Sequence, residues 1–144
     1  MAVKYRVALP AAVALSASIA CAEGIEPGLW RTIDRSEAAG VISPPQETSK
    51  CLTADQAGDL PTTFSPISRT VNSVCAPIER SFTGKKLTWR LVCRGQLDME
   101  LNGEYDFDSS RHYTATVQTK AAMAGLTMID TRELLEGQWI SECP

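Results

Sequence analysis

The stretch LDMELNGEYDF, residues 97–107, decides the fold class, because apolar and polar residues alternate along its whole length. Residues two apart in a strand project to the same face, so this alternation predicts a strand with one apolar face and one solvated face. A helix of the same sequence would scatter both sets around its axis. The pattern therefore predicts an antiparallel sheet that packs one face on the core and exposes the other.

The segment that follows completes a hairpin with this strand. Residues 111–120 are rich in Thr, Tyr and Val, and Asp108-Ser109-Ser110 is typical of a turn between strands. A three-residue turn there predicts that Tyr105 faces Tyr113 on the core side. Cross-strand pairs of this kind stabilise a sheet by roughly 0.2–1 kcal/mol each, which favours this register.

A second hairpin is expected between Cys75 and Cys93. A register that places these two cysteines opposite each other does not fit a strict two-residue turn at Gly84-Lys85, so a bulge or a longer turn is required. Pro77 favours an edge position for the first strand, since proline cannot donate to a ladder.

The remaining elements are weaker signals. Thr53 and Gln56 form a capping-box pattern that predicts one short helix ending near Gly58. The predicted fold is mainly β, an antiparallel meander that is either open or closed into a barrel, with one short helix and two disulfides. Further strands are expected at Gly28–Arg35 and within Gly125–Cys143, and loops at Ser36–Lys50 and Gly58–Ser68.

The N-terminal segment has the features of a cleaved signal peptide. Lys4 and Arg6 precede an apolar run over residues 7–20, and Ala20-Cys21-Ala22 offers a small-x-small cleavage site. We expect residues 1–22 to be the signal peptide and residues 23–144 a single disulfide-stapled domain in the periplasm. The alternative is a lipoprotein anchored at Cys21.

Four cysteines remain after the signal peptide, and an even number in an exported chain indicates two disulfides. The nearest two are too far apart in sequence for the usual zinc-site spacing. The hairpin register predicts a bond between Cys75 and Cys93. Cys51 and Cys143 are then the pair that is left.

Composition and motifs argue against several classes of activity. A net charge of −3 disfavours a nucleic-acid partner, and the chain has no nucleophile elbow, phosphate-binding glycine loop or C-x-x-C motif. The register above places His112, the single histidine, opposite Asp106, where we interpret it as a surface residue. We therefore expect no catalytic residue, no cofactor and no metal. The carboxylates of one strand, which are interpreted as a solvated face rather than a calcium site, are Asp98, Glu100, Glu104 and Asp106.

Two functional classes remain, a small-ligand or lipid binding module and an envelope structural or protein-interaction protein without a small ligand. The first requires a cavity, and hence core-face residues too small to fill the interior, such as Gly103 and Ala115. The expected partners are accordingly an apolar small molecule or an envelope protein. The aromatic residues that we interpret as core rather than as a ligand cage are Trp30, Trp89, Trp139, Tyr105 and Tyr113.

The order of these landmarks resembles an exported bacterial family known as domain of unknown function 3617. The matching features are Pro27-Gly28-Leu29-Trp30, Cys51-Leu52-Thr53, the hairpin between Cys75 and Cys93, and Trp139 ahead of Cys143. The chain departs from that family in a short segment between Trp30 and the first cysteine, and in Ser141-Glu142 where glycine is common. The resemblance implies export, a β fold and two disulfides, and it implies no activity.

Overall fold

The computed structural model describes residues 24–67 and 73–144, which form one antiparallel sheet of nine strands and two short helices. The mainly β prediction is confirmed, whereas the expected signal peptide lies outside the described residues. The strands are β1 (Gly28–Ala38), β2 (Val41–Ile42), β3 (Gln46–Leu52), β4 (Ser73–Cys75), β5 (Glu79–Thr83), β6 (Lys86–Gly95), β7 (Asp98–Ser109), β8 (His112–Met123) and β9 (Leu126–Ser141), and the helices are α1 (Ala54–Gly58) and α2 (Leu60–Thr63).

The sheet is open rather than closed into a barrel. Its central order is β1-β9-β8-β7-β6; β2 and β3 both pair with β1 at one edge, and β4 and β5 both pair with β6 at the other. Within residues 24–67 and 73–144, no ladder joins the two edges. The long strand β9 lies between β1 and β8 and pairs with both.

The register predicted for the long hairpin is wrong by two residues. Tyr105 faces Ala115 rather than Tyr113, because β7 and β8 run on to Ser109 and His112 and the chain turns at Ser110-Arg111. The ladder is irregular between Asp106 and Ser109. A shift of two residues preserves the face to which each side chain points, so the core-face prediction survives the register error.

The irregularity predicted for the Cys75–Cys93 hairpin is present. Cys75 faces Cys93, but Thr83 faces Lys86 around a two-residue turn, which requires a slip of one residue. The slip falls in the break between β4 and β5, which contains Pro77. Both strands lie at the sheet edge, as the proline indicated.

The loop expected at Ser36–Lys50 is wrong, since this range holds the end of β1, all of β2 and most of β3. All residues of β3 except Leu52 are exposed. An edge strand of this kind buries an apolar side chain only at its last residue, so it carries no alternation for the sequence to reveal.

The predicted helix is confirmed as α1, with Thr53 and Gln56 making both bonds of the capping box. A second helix, α2, was expected to be loop. Asp59 caps it by accepting from the Thr62 N–H, and Pro61 lies in its first turn, where its missing N–H costs nothing.

Both helices cover one end of the core face of the sheet. Ala57 and Leu60 bring the helices into the core, and the sulfur atoms of Cys51 and Cys143 and of Cys75 and Cys93 lie at bonding distance. The remaining members of the buried cluster are Ile25, Trp30, Leu52, Leu87, Trp89, Tyr105, Phe107, Tyr113 and Ala115.

Candidate functional site

A cleft of about 490 Å³ lies between the core face of the sheet and the chain that leaves α2. We call it the core-face cleft. It is open to solvent, and most of its lining is aromatic or aliphatic. Its lining comprises Trp30, Thr32, Lys50, Leu52, Thr63, Phe64, Ser65, Pro66, Trp89, Leu101, Tyr105, Tyr113, Val117, Thr119, Glu133 and Leu135.

Strand periodicity places these side chains together. Trp89 on β6, Gly103 on β7, Val117 on β8 and Glu133 on β9 are successive partners across the sheet and so form one row on the core face. The neighbouring row contains Tyr105, facing Ala115. The cleft is therefore built from central strands, with the α2 segment on one side.

Gly103 does not leave the empty space that a ligand cavity at this position would require. The indole of Trp89 lies over it so closely that a Cβ atom on Gly103 would collide with the ring. Gly137 on β9 is covered by the ring of Tyr113 in the same way. Each glycine thus accommodates an aromatic side chain from a neighbouring strand, and the cleft arises elsewhere, beneath the α2 segment.

Phe64, which ends α2, is the main contact between that segment and the sheet. Its ring centroid lies 5.3 Å from those of Tyr105 and Phe107 and 5.1 Å from that of Tyr113. The segment is also tethered by Arg80, whose Nε donates to the Ser65 hydroxyl at 3.1 Å. Few polar bonds hold this wall of the cleft, so side-chain packing sets its position.

Two polar aromatic groups of the cleft differ in their partners. The Tyr113 hydroxyl lies 3.0 Å from the Thr32 hydroxyl, and either oxygen can donate. Trp89 is only 5% exposed, yet its indole N–H has no acceptor in the part of the chain that the structure describes. A buried donor without a partner costs about 1–3 kcal/mol, so the Trp89 N–H is a site where an acceptor would be stabilising.

Two carboxyl groups lie at the β1–β9 side of the cleft. Glu133 lines it, and Asp34 on β1 is a diagonal neighbour, two residues from the partner of Glu133. Burial raises the pKa of Glu133, and the nearby charge of Asp34 raises it further. Neither carboxyl takes part in an ion pair within residues 24–67 and 73–144, and Asp34 Oδ1 is buried without a hydrogen-bond partner there.

Burial also raises the pKa of the two tyrosines that face this region, Tyr105 and Tyr113. Both therefore remain protonated and can donate a hydrogen bond at any physiological pH. Lys50, on β3 opposite Trp30, is the cationic residue of the lining and is exposed. The interior of the cleft is thus apolar and acidic, and its positive charge lies at the edge of the sheet.

The outer face of the sheet is polar and its charges are largely paired. Lys86 binds Glu104 at 2.6 Å and Arg90 binds Glu100 at 2.9 Å. Glu104 and Glu100, two of the predicted strand-face carboxylates, are thus engaged with basic residues, and Asp98 accepts from the Gly95 N–H. No cluster of three metal-ligating side chains was found among the residues described.

His112 is bound by carboxylates, but Asp106 is not one of them. Because of the two-residue change of register, Nδ1 lies 2.8 Å from Asp108 and Nε2 lies 3.3 Å from Glu136. Burial lowers the pKa of His112, while its hydrogen bonds to Asp108 and Glu136 outweigh that effect and raise the pKa overall. His112 is not part of the lining of the core-face cleft.

Sequence reasoning placed Trp30, Trp89, Tyr105 and Tyr113 in the core, where they are, but it did not place them around a cleft. It missed Phe64, because α2 was read as loop. It also missed Asp34 and Glu133, whose strands show no strict alternation in this region. A pair of carboxyl groups on core-facing positions of adjacent strands is visible only after the register is known.

A family model described as Protein of unknown function (DUF3617) matches residues 25–143. The match confirms the family that the resemblance indicated, and it spans almost all of the described chain. No curated protein and no solved structure matches.

Proposed function

This chain belongs to the DUF3617 family of proteins of unknown function, and from that premise we propose that it is a binding module for a small apolar or lipid-like ligand. The observation that carries the proposal is the core-face cleft, because it opens an aromatic core to solvent. Small-ligand sites are typically concave, largely apolar and about 300–1,000 Å³ in volume, and the cleft of about 490 Å³ lies within that range.

The wall formed by the α2 segment supports this proposal. Phe64 closes over Tyr105, Phe107 and Tyr113 by ring contacts alone, and α2 itself is only four residues long. A helix this short has little stability of its own, so this wall can move to admit a ligand.

We place the protein in an oxidising compartment and propose that this is the periplasm. The two cysteine pairs at bonding distance support an oxidising compartment, since such bonds are rare in reducing cytosol. No helix in the described ranges is both long and apolar enough to span a membrane. The signal-like features of residues 1–22 support export through a cleaved leader.

Thermal denaturation with the disulfides intact tests the binding function. An apolar ligand that binds only the folded state stabilises it by about 2.7 kcal/mol at a hundredfold excess over its dissociation constant, which appears as a higher melting temperature. Val117→Phe should fill the cleft and abolish this increase. Thr114→Phe, on the outer face of the same strand, should keep it. A melting temperature that no lipid raises would contradict the proposal.

An interaction protein remains the second candidate function, and one observation favours it. The ends of two adjacent hairpins, β1–β2 and β8–β9, expose aliphatic and thioether side chains, with Val41 and Leu126 both 71% exposed. Exposed apolar patches are common at protein interfaces. Complementation of a deletion strain separates the two: loss of function with Leu126→Lys but not with Val117→Phe would favour the interaction protein.

A further inference from the structure

The polar groups of the core-face cleft restrict the head group of the ligand, an inference that rests on the proposed function. Trp89 is nine-tenths buried or more, lines the cleft, and has an indole N–H with no acceptor among the residues described. Its pyrrole edge lies over Gly103, on the row that continues through Val117 to Glu133. A ligand that reaches this row can supply the acceptor that the Trp89 N–H lacks.

Carboxyl groups that can accept hydrogen bonds lie at the other end of this row, near Glu133. Glu133 lines the cleft, Asp34 has a buried oxygen without a hydrogen-bond partner, and neither carboxyl is paired with a cation in the described ranges. Like charges brought together in a partly buried site repel each other strongly, because the local dielectric is low. A ligand carboxylate or phosphate placed here would lie against two carboxyl groups rather than a cation, which is unfavourable.

Lys50, the basic residue of the lining, does not neutralise the two carboxyl groups. Lys50 faces Trp30 on β3, whereas Asp34 faces Gln46 at the other end of the same ladder. Lys50 therefore lies at the exposed edge of the sheet, at the other end of the ladder from Asp34.

We propose that the ligand of the core-face cleft is an uncharged, hydroxyl-bearing amphiphile rather than a fatty acid. Its hydroxyl oxygens accept from the Trp89 N–H, and its hydroxyl protons are donated to the Glu133 carboxyl group. Its alkyl portion lies against Phe64 and Leu101. A group that both donates and accepts matches a site that contains unpartnered donors and acceptors.

Calorimetric titration with three probes of equal chain length tests the inference at neutral pH: monododecanoyl glycerol, dodecanoate and dodecylamine, each below its micellar concentration. We expect the glycerol ester to bind at least about tenfold more tightly than dodecanoate, a difference of about 1.4 kcal/mol. Dodecanoate binding as tightly as the ester, or dodecylamine binding most tightly, would overturn the inference while leaving a binding module in place.

Two variants connect this selectivity to the residues named. Glu133→Gln removes an acidic group from the cleft and should reduce the difference in affinity between the glycerol ester and dodecanoate. Glu136→Gln, on the outer face of β9, should leave that difference unchanged. Trp89→Phe should weaken binding of the glycerol ester several-fold. If Trp89→Phe does not fold, Glu133→Gln alone tests the inference. An unchanged difference in affinity between the ester and dodecanoate in that variant would overturn the inference. If none of the probes binds the folded wild-type protein, the proposed function itself is wrong.

Discussion

The contact between Trp89 and Gly103 sets the local shape of the core face at the scale of single residues. The indole occupies the volume that any other side chain at position 103 would need. Trp89 is thereby packed against β7 at Gly103. The alternation of residues 97–107 predicts that position 103 faces the core, but only the structure shows which side chain covers it.

Gly103→Ala should destabilise the protein by about 1–3 kcal/mol, the usual cost of forcing extra volume into a packed core. The added methyl group collides with the Trp89 ring, which is buried and cannot move aside freely. Urea denaturation measures the change, with Gly58→Ala as the control, because a Cβ atom there meets nothing within 4 Å. A neutral Gly103→Ala would show that Trp89 does not hold this position.

The stability contributed by His112 should depend on pH. Its folded-state pKa is raised, so the contribution is fully present below the pKa of the unfolded chain and is lost as the pH rises through the folded value. Wild type should exceed His112→Asn in stability by about 1 kcal/mol or less near pH 5, and the difference should vanish near pH 8. A difference that grows toward alkaline pH would contradict the contacts with Asp108 and Glu136.

At the scale of elements, the sequence predicted what periodicity and capping can encode. The alternation in β7, the capping box of α1 and the slip required in the Cys75 hairpin are all present. The strand β3 was missed because an exposed edge strand has no buried face, and α2 was missed because four residues carry too little pattern. The core-face cleft depends on both Phe64 after α2 and the register of β9, and so it was beyond sequence reasoning.

The two cysteine pairs should contribute unequally to stability. Cys51 joins the edge strand β3 to Cys143 across a separation of 92 residues, whereas Cys75 and Cys93 are 18 residues apart. Loop-closure entropy gives about 4.6 kcal/mol for the longer loop and about 3.2 kcal/mol for the shorter one, as upper guides. Replacing each pair by alanines and measuring guanidinium denaturation should show the larger loss for Cys51 and Cys143.

Peptide mapping without reduction provides an independent check of this connectivity. It should recover Cys51 with Cys143 and Cys75 with Cys93. A peptide that joins Cys51 to Cys75 would contradict both the register of β4 with β6 and the position of the C-terminal segment.

At the scale of the whole molecule, one open sheet has to cover its apolar face with very little helix. The helices and Phe64 cover one end of that face, and the aromatic residues of β6, β7 and β8 fill much of the rest. The cleft is the part that remains open. An open sheet with a partly covered core is consistent with a ligand that completes the packing.

The proposed export predicts a defined N-terminus. The protein produced from its full sequence in a Gram-negative host should have an intact mass that corresponds to a start at Glu23, because Ala20-Cys21-Ala22 is the cleavage site that the signal features favour. A diacylglycerol-modified Cys21, or retention in the membrane fraction, would replace this prediction with the lipoprotein alternative.

The most direct test of the central claim, that the core-face cleft binds an apolar chain, is to locate such a chain by anomalous scattering. Crystals grown with ω-bromoundecanol should show one bromine position beside Phe64, with the hydroxyl group at the other end of the chain near Trp89. The same peak should be absent from crystals of Val117→Phe. A wild-type cleft that stays empty at saturating concentration, or bromine found only at the exposed hairpin ends, would contradict the claim.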